Sequence, residues 1–375
     1  MASVKDLTSF GIRLETCRRI SEEDFEKLAR QGCQPYKGDV LIAKDGATAL
    51  DTVCEVKRNE DVVLLSSVAI LRPNLSLIHS GYLHYYLDAS TTRSYLKGSF
   101  ISGAAIPRVV LKDLKRAVVR VPPLTTQRRI AGILSAYDDL IENNQRRIKI
   151  LEEMARSLYR EWFVHFRFPG HDKVNMVPSS LGPIPQGWEV KSLAALMEIR
   201  GGSQPPKSDF IYEEQPGYVR LIQIRDYEKD SHLTFVRESS NLRLCNRTDI
   251  MIARYGASVA RICWGLTGAY NVALIKVIPL STNCQEFLRQ FLSDEEFQKL
   301  LIGMSGRAAQ NGFNKSDIAA IRVAFTNDHS LLERLEQFAV PLRDTTLLLR
   351  DQTKNLRRTR DLLLPRLLSG QVHLT

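Results

Sequence analysis

The chain contains 375 residues, and a single hydrophobic core seldom grows to that length, so two domains with connecting elements are expected. Its formal charge of +10 favours a polyanionic partner such as a nucleic acid. The first residues lack a signal-peptide pattern, and no apolar run reaches the roughly 20 residues of a membrane span. These features exclude membrane contact and predict a soluble cytoplasmic protein.

Residues 1–124 are predicted to form a first domain of mixed structure. Its predicted elements are a helix over Glu22–Arg30 capped by Ser21, strands over Val40–Ala43 and 62–71, a helix over 82–97, and a last strand over 118–121. Pro122 and Pro123 close the last strand because proline cannot continue a hydrogen-bonded ladder. A domain boundary is therefore expected after them.

Two long helices are predicted, over residues 125–170 and 330–375. Apolar or small residues recur in both at alternating steps of four and three, which is the spacing of a coiled coil. Thr125 or Thr126 is expected to cap the first helix, and Ser330 with Glu333 forms a predicted capping box for the second. The predicted seam consists of Ile130, Leu134, Tyr137, Ile141, Asn144, Ile148, Leu151 and Leu158, and of Leu335, Leu342, Leu349, Leu356, Leu363 and Leu367.

A linker over residues 171–187 and a second domain over residues 188–329 are predicted between the helices. The second domain repeats the first. Residues 37–48 return as 247–258, residues 67–72 as 271–276, and residues 82–98 as 287–303. This internal duplication predicts an α+β fold with two similar mixed α/β globular domains, joined by two long antiparallel helices that form a coiled coil with a pseudo-twofold repeat.

No catalytic and no metal-binding residues are predicted. The sequence has no phosphate-binding loop, no dinucleotide fingerprint, no zinc-protease motif and no nucleophile elbow. The six cysteines lie too far apart in sequence for a Cys-x-x-Cys site, so reduced and mostly buried thiols are expected. An enzyme that acts alone is therefore the weakest interpretation.

Signals for nucleic-acid binding are diffuse but repeated. Each domain has a Gly-Ala-small loop flanked by charge, at residues 44–48 and 254–258. Loops of this kind can present arginine to guanine and glutamine or asparagine to adenine, while other basic residues contact phosphates. The candidate DNA-binding residues are Lys44, Thr48, Lys57, Arg58, Arg108, Gln204, Lys207, Arg225, Arg254, Tyr255, Ser258, Arg261, Arg307, Gln310, Asn311, Asn314 and Lys315.

The end of the first helix is rich in aromatic residues, among them Trp162, Phe163 and Phe166. There are more aromatic side chains here than the seam of one helix can bury. They are expected either to pack against the second domain or to form a docking surface for a partner subunit.

Three stretches, residues 160–170, 182–188 and 363–370, resemble the specificity (S) subunit of type I restriction-modification enzymes. The resemblance extends over the whole chain, but the first repeat lacks the Gly187-Trp188 leader of the second. Residues 310–314, which are typical of the family, are replaced in the first repeat by Ile106, Pro107 and Arg108. Because the first repeat lacks the Gly187-Trp188 leader, the beginning of the first domain is expected to be irregular or shortened.

The resemblance implies a non-catalytic subunit with two target recognition domains that bind double-stranded DNA. The implied protein partners are two methyltransferase (modification) subunits and the restriction/translocase subunits of the full complex. No cofactor is implied in this chain, because S-adenosylmethionine and ATP would belong to those partners.

Diverged loops on a repeated framework predict an asymmetric bipartite target, with helix length setting the gap between its halves. Lengthening the helices by four residues, about 6 Å, would widen that gap by one or two base pairs. Two other interpretations stay open: a coiled-coil scaffold that does not bind DNA, and a basic RNA-binding regulatory protein.

Overall fold

The computed structural model describes residues 1–102, 107–228, 233–305 and 315–372. The chain divides into two compact units. The first unit comprises Met1–Arg146 and Leu349–Thr375, and the second unit comprises Arg147–Leu348. The two boundaries between the units, at residues 146/147 and 348/349, fall inside the long helices. The helices were predicted as segments separate from the domains, and this division does not separate them. Each unit instead contains one globular domain and a part of each helix.

The elements are numbered in chain order. Before the first long helix lie strands β1 (Leu7–Thr8), β2 (Gly11–Ile12), β3 (Val40–Ala43), β4 (Val53–Glu55), β5 (Val68–Leu71), β6 (Ile101–Ser102) and β7 (Arg108–Val109), and helices α1 (Glu22–Arg30), α2 (Ser80–Asp88), α3 (Ser90–Phe100) and α4 (Leu111–Leu114). Helix α5 spans Leu124–Tyr159 and continues as a π-helical turn over Arg160–Val164.

The second domain contains strands β8 (Met176–Val177), β9 (Ile184–Pro185), β10 (Trp188–Ser192), β11 (Met197–Gly201), β12 (Tyr218–Ile222), β13 (Phe235–Arg237), β14 (Leu244–Cys245), β15 (Ile250–Ala253), β16 (Ile262–Cys263), β17 (Gly268–Tyr270), β18 (Leu274–Pro279) and β19 (Arg322–Thr326), and helices α6 (Gln285–Ser293), α7 (Glu295–Ser305) and α8 (Lys315–Ala319). Helix α9 spans His329–Ser369.

A small antiparallel sheet of order β4-β3-β5 forms the centre of the first domain. All of β3 is buried, and its Val40 and Ile42 pack against Leu83, Leu87 and Leu96 of α2 and α3. The single helix predicted over residues 82–97 is two helices, because Ala89 between them is extended. The strand predicted over residues 62–71 is formed only at its end, by β5, and residues 118–121 form no strand.

Two helix starts differ from the predicted caps. Helix α5 already begins at Leu124, and the Pro123 carbonyl accepts the Gln127 amide, so neither Thr125 nor Thr126 is the cap. Helix α9 begins one residue before Ser330, because the Asp328 carboxylate accepts the Ser330 amide at 2.9 Å. An aspartate side chain at this position satisfies an amide that has no partner inside the helix.

The seam in the first unit joins α5 to the end of α9. Ile130 and Leu134 share a buried cluster with Leu364 and Leu367. Further along α5, Asp138 pairs with Arg360, which precedes those leucines in α9. The helix segments in this unit are therefore antiparallel.

The predicted seam positions are all buried or half-buried in both helices. They are Ile130, Leu134, Tyr137, Ile141, Asn144, Ile148, Leu151, Leu158, Leu335, Leu342, Leu349, Leu356, Leu363 and Leu367.

A larger set of sheets builds the second domain. β18 lies between β11 and β15, β17 lies between β12 and β14, and β10 pairs with β19. The predicted linker over residues 171–187 is not loose: it contains the β8–β9 pair, and Ile184 is buried in the core beside Trp188. It is part of the second domain because it contributes to that core.

Buried charges connect α6 to α9 within the second unit. Glu286 accepts hydrogen bonds from Arg289 at 2.9 Å and from Arg343 at 2.7 Å, and its own amide donates to Glu336 at 2.6 Å. Arg289 also donates to the Thr248 carbonyl at 2.6 Å, next to the start of β15. The network fixes the second domain's sheet and helices to α9 by charge-assisted hydrogen bonds.

The two domains repeat each other in detail. Asp39 accepts the Tyr36 amide at 2.7 Å and pairs with Arg72, while Asp249 accepts the Asn246 amide at 2.7 Å and pairs with Lys276. These turns precede β3 and β15, the central strands of matching sheets. The predicted fold class, two similar mixed α/β domains with two long antiparallel helices, is confirmed.

One part of the predicted alignment is wrong. The Lys44 amide donates to Ser67 and the Arg254 amide donates to Ala273, so Ser67 matches Ala273 and not Asn271. A shift of two residues leaves the same side chains on the same face of a strand, so the apolar pattern could not reveal it.

Arg360→Ala is expected to destabilise the first unit. The Asp138 carboxylate is buried and would retain only the Tyr85 hydroxyl, at 2.7 Å, as a hydrogen-bond donor. Removing one partner of a buried ion pair costs about 3 kcal/mol. Urea unfolding of the full chain, followed by hydrogen exchange in α2, measures the change. Arg358→Ala, an exposed change on the same helix, is the control, and equal midpoints for both variants would contradict a stabilising role for the pair.

Glu336→Gln is expected to flatten the pH dependence of the second unit's stability. Burial raises the pKa of Glu336 to about 7 from an ordinary value of 4.5. Between these values the folded state holds a proton that the unfolded state has released, so stability falls as pH rises through this window. Glutamine still accepts the Glu286 amide but does not ionise.

Melting temperatures at pH 5 and pH 8 test this pH dependence. The wild-type protein should lose more stability over the interval than the Glu336→Gln variant. Glu333→Gln, an exposed change on the same helix, should behave like wild type. Parallel pH profiles for wild type and Glu336→Gln would refute the prediction.

Candidate nucleic-acid interface

Both central strands run into a loop with the same backbone conformation. The Leu50 amide donates to Ala43 at 2.7 Å, and the Ala260 amide donates to Ala253 at 2.8 Å. Inside the loops, Ala49 donates to Gly46 at 3.0 Å and Val259 to Gly256 at 3.1 Å. The loops at residues 44–50 and 254–260 are therefore held in one shape, and we call them the Gly-Ala loops.

Each Gly-Ala loop contains two left-handed residues. Gly46 and Gly256 have φ values of 91° and 77°, and Leu50 and Ala260 have φ values of 67° and 71°. Residues with a Cβ rarely adopt this region and lose about 1 kcal/mol or more by doing so. Because the same unfavourable conformation occurs in both domains, it belongs to the duplicated framework and not to either loop's own sequence.

In the first unit, ion pairs surround the Gly-Ala loop. Arg108 of β7 pairs with Asp45 at 3.0 Å, and Lys97 of α3 pairs with Asp51 at 2.6 Å. Lys44 is half-buried and Thr48 is exposed at the tip. Three of the candidate residues, Arg108, Lys44 and Thr48, thus lie close together around this loop. Asp45 and Asp51, which orient Arg108 and Lys97, were not predicted from the sequence as part of this site.

In the second unit, the Gly-Ala loop presents different side chains. The Arg254 guanidinium lies over the Tyr255 ring, 4.9 Å from its centroid. Arg261 pairs with Glu228, which follows β12. Ser258 is half-exposed. No local sequence pattern indicates Glu228 as the partner of Arg261, since the two residues lie 33 positions apart.

Further candidate residues follow the ends of strands β11 and β12 in the second domain. Gly201 at the end of β11 pairs with Ile275, next to the point where Ala253 pairs with Leu274. The Gly202 amide then donates to the Leu274 carbonyl at 3.2 Å, and the exposed Gln204 and Lys207 follow. Arg225 is exposed after the end of β12.

Gly202 permits a close approach of two backbones. A Cβ at this position would lie 2.1 Å from the Asn271 carbonyl oxygen. Only glycine therefore allows the chain to turn from β11 into the segment that contains Gln204.

Lys57 and Arg58 do not join the other candidates. They follow β4 at the end opposite the Gly-Ala loop, because Glu55 pairs with Val40 and Val53 pairs with Ile42. Lys57 donates to Asp139 of α5 at 2.9 Å, and Arg58 donates to Glu60 at 2.6 Å. Their positions separate them from the Gly-Ala loop.

Arg307, Gln310, Asn311 and Asn314 lie outside the described residues. Lys315 begins α8, and its side chain is not described. These predicted base contacts remain predictions.

The aromatic residues after α5 are internal, which corrects the partner-docking prediction for Trp162 and Phe163. Both are buried in the core of the second unit. The Phe163 ring lies 5.0 Å from Phe287, and the half-buried Phe166 contacts Trp188 at 5.2 Å between centroids. The other predicted alternative, packing against the second domain, agrees with the structure. The rings are removed from water in this apolar core, which is favourable for apolar surface.

The described residues contain no group of three or more histidine, cysteine or acidic side chains that could hold a metal. All six cysteines are free. Within the part of the chain that the structure covers, no helix is both long and apolar enough to cross a membrane.

Comparisons with known proteins agree on one family. A profile described as "Type I restriction modification DNA specificity domain" matches residues 14–153. The MjaIX specificity subunit of Methanocaldococcus jannaschii is 25% identical over 78% of this chain and 69% of that protein. The HindI specificity subunit of Haemophilus influenzae is 23% identical over 84% of this chain and 82% of that protein.

The chain is therefore similar to type I restriction-modification specificity subunits over most of its length.

A solved S subunit of a type I restriction-modification system from M. genitalium has the same fold. It superimposes with a TM-score of 0.59 over 91% of this chain and 84% of that chain, at 16% identity. The matches to both relatives extend over more than three quarters of this chain, so they include parts of both units.

Gly202→Ala is expected to destabilise the second unit by about 2 kcal/mol, since the new Cβ would meet backbone atoms that cannot move independently. Thermal melting of the full chain measures the loss. Gly303→Ala in α7, where a Cβ would meet nothing within 4 Å, is the matched control. Unchanged melting of the Gly202→Ala variant would show that the close approach is not required.

Proposed function

We propose that this specificity subunit recognises an asymmetric bipartite sequence in double-stranded DNA, with each domain reading one half. One observation carries the proposal: the two Gly-Ala loops share a backbone conformation and differ in their side chains. A fixed backbone positions side chains in the same way in both domains, and different side chains then select different bases.

The chemistry of each loop suits base edges. Arg254 in the second unit can donate two hydrogen bonds to guanine, and Gln204 beside it can pair with adenine. Lys207, which follows β11, and Arg225, which follows β12, suit phosphates. In the first unit, Lys44, Thr48 and Arg108 are the corresponding candidates. The formal charge of +10 supports a polyanionic partner.

We further propose that the helices set the spacing between the half-sites and dock two methyltransferase subunits, to which restriction/translocase subunits add in the full complex. Exposed apolar side chains on both helices support docking. They are Leu140, Ile150 and Met154 on α5, and Phe338, Leu348 and Leu362 on α9. In this proposal the chain acts in the cytoplasm without catalysis, and S-adenosylmethionine and ATP bind to its partners.

Arg254→Ala and Lys44→Ala should each relax a different half-site. A lost arginine contact to guanine reduces discrimination at one base pair by about 1–3 kcal/mol, or roughly 5- to 160-fold. Selection of bound duplexes from a random library by the full chain, with and without methyltransferase subunits, measures the preference at every position.

Arg237→Ala is the matched control for this experiment, because Arg237 is exposed on β13 and pairs with Tyr218, at the end of β12 away from the Gly-Ala loop. It should leave both half-sites unchanged. Relaxation of both half-sites by one loop variant would contradict the assignment of one domain to each half. Equal competition by structured RNA and duplex DNA would favour the RNA-binding alternative, and no salt-dependent binding to either would favour the scaffold.

A further inference from the structure

The turn between β17 and β18 joins three separate segments of the second domain by backbone hydrogen bonds. The Tyr270 carbonyl accepts the Ser203 amide at 3.1 Å, and the Tyr270 amide donates to the Arg243 carbonyl at 2.9 Å. The Ala273 carbonyl accepts the Arg254 amide at 2.8 Å. Arg243 therefore lies at the same turn as the second Gly-Ala loop and the segment that follows β11.

Arg243 is a basic residue of this surface that was not predicted from the sequence. The Ser203 hydroxyl accepts its amide at 3.3 Å, although the two residues lie 40 positions apart, and its side chain is exposed. Burial raises the pKa of Tyr270 to about 12, and Arg200 and Arg243 are the positive charges that oppose this rise. The Arg243 guanidinium therefore lies near the turn, as its backbone does.

Neighbouring cations are occupied by other side chains, and Arg243 is not. The Arg254 guanidinium lies over the Tyr255 ring, and Arg261 pairs with Glu228. In the part of the chain that the structure describes, the Arg243 side chain enters no ion pair, hydrogen bond or ring contact. Its charge is thus available at this surface.

The fold does not require an arginine at this position. In the first domain the Leu64 amide donates to the Cys33 carbonyl at 2.8 Å, as the Tyr270 amide donates to the Arg243 carbonyl. Cys33 and Arg243 stand equally far ahead of the matching turns that precede β3 and β15. Backbone atoms make this contact in both domains, so the guanidinium is not needed for it.

We propose that Arg243 binds a DNA phosphate beside the bases that Arg254 and Gln204 read, and thereby fixes the register of the second domain on its half-site. This inference rests on the proposed DNA recognition. Stacking on Tyr255 fixes the plane of the Arg254 guanidinium, as paired hydrogen bonds to a base edge require. Arg243 has no such orienting group among the described residues, and a phosphate requires charge more than a fixed plane.

Arg243→Ala should weaken binding of the full chain to every duplex about equally. The loss of one phosphate contact reduces the slope of log affinity against log salt by about 0.9, or about eightfold in affinity at about 0.1 M salt. Titration of a mixed-sequence duplex from about 0.05 M to about 0.3 M salt measures this slope. Selection from a random duplex library measures base preference, which should stay unchanged.

Arg243→Lys should restore both the affinity and the slope, because a lysine charge also binds phosphate. The melting temperature of Arg243→Ala should equal that of wild type, since the side chain supports no contact in the fold. Arg237→Ala, an exposed change at the end of β12 away from the Gly-Ala loop, is the matched control and should keep the wild-type slope.

Two outcomes would overturn this inference while leaving the proposed function intact. The first is a wild-type affinity and slope for Arg243→Ala. The second is a relaxed preference at one base pair with an unchanged slope, which would make Arg243 a base contact. Absence of salt-dependent duplex binding by the wild-type chain would overturn the proposed function and this inference with it.

Discussion

The structure depends on contacts between helix segments that are far apart in sequence. In the first unit, Asp138 and Arg360 pair although 222 positions separate them. The core that Ile130 and Leu134 form with Tyr82 is completed by Leu364 and Leu367 from the end of the chain. The first domain therefore cannot bury its helix-facing residues until the C-terminal helix has been made. Such long-range closure costs chain entropy, which the buried leucines and the ion pair must offset.

The same helix positions carry opposite charges in the two units. Leu134 and Ala339 match in the two seams, so Asp138 and Arg343 occupy equivalent positions four residues later. Asp138 binds Tyr85 and Arg360, whereas Arg343 binds Glu286. A helix segment placed on the wrong unit would bury one of these charges without its partner, at a cost of several kcal/mol. The apolar seam is repeated, and the buried charges make the correct pairing unique.

The sequence was sufficient where structure follows from local periodicity. Every residue that the heptad spacing assigned to the seam is buried or half-buried. The turn-bounded run Val40–Ala43 was predicted with the bounds that strand β3 has in the structure. Prediction failed where a partner element decides the outcome. Residues 118–121 have the composition of a strand but form none within the described residues. The aromatic segment after α5 was compatible with packing or with partner docking, and the contacts of Phe163 with Trp188 and Phe287 decide for packing. In the candidate site, the loops were predictable from the repeat, but the acidic partners Asp45 and Glu228 were not.

Backbone strain explains how the two loops could diverge without losing their shape. Leu50 and Ala260 share a left-handed conformation, and both are buried at its base, where the hydrogen bonds to Ala43 and Ala253 hold them. The fold around the strand imposes this conformation, so the backbone of the loop does not depend on which side chains stand at its tip. Lys44 and Asp45 can stand in one loop where Arg254 and Tyr255 stand in the other. A site that changes its side chains while keeping its backbone can acquire a new base preference through a few substitutions, because the framework that positions them does not have to change.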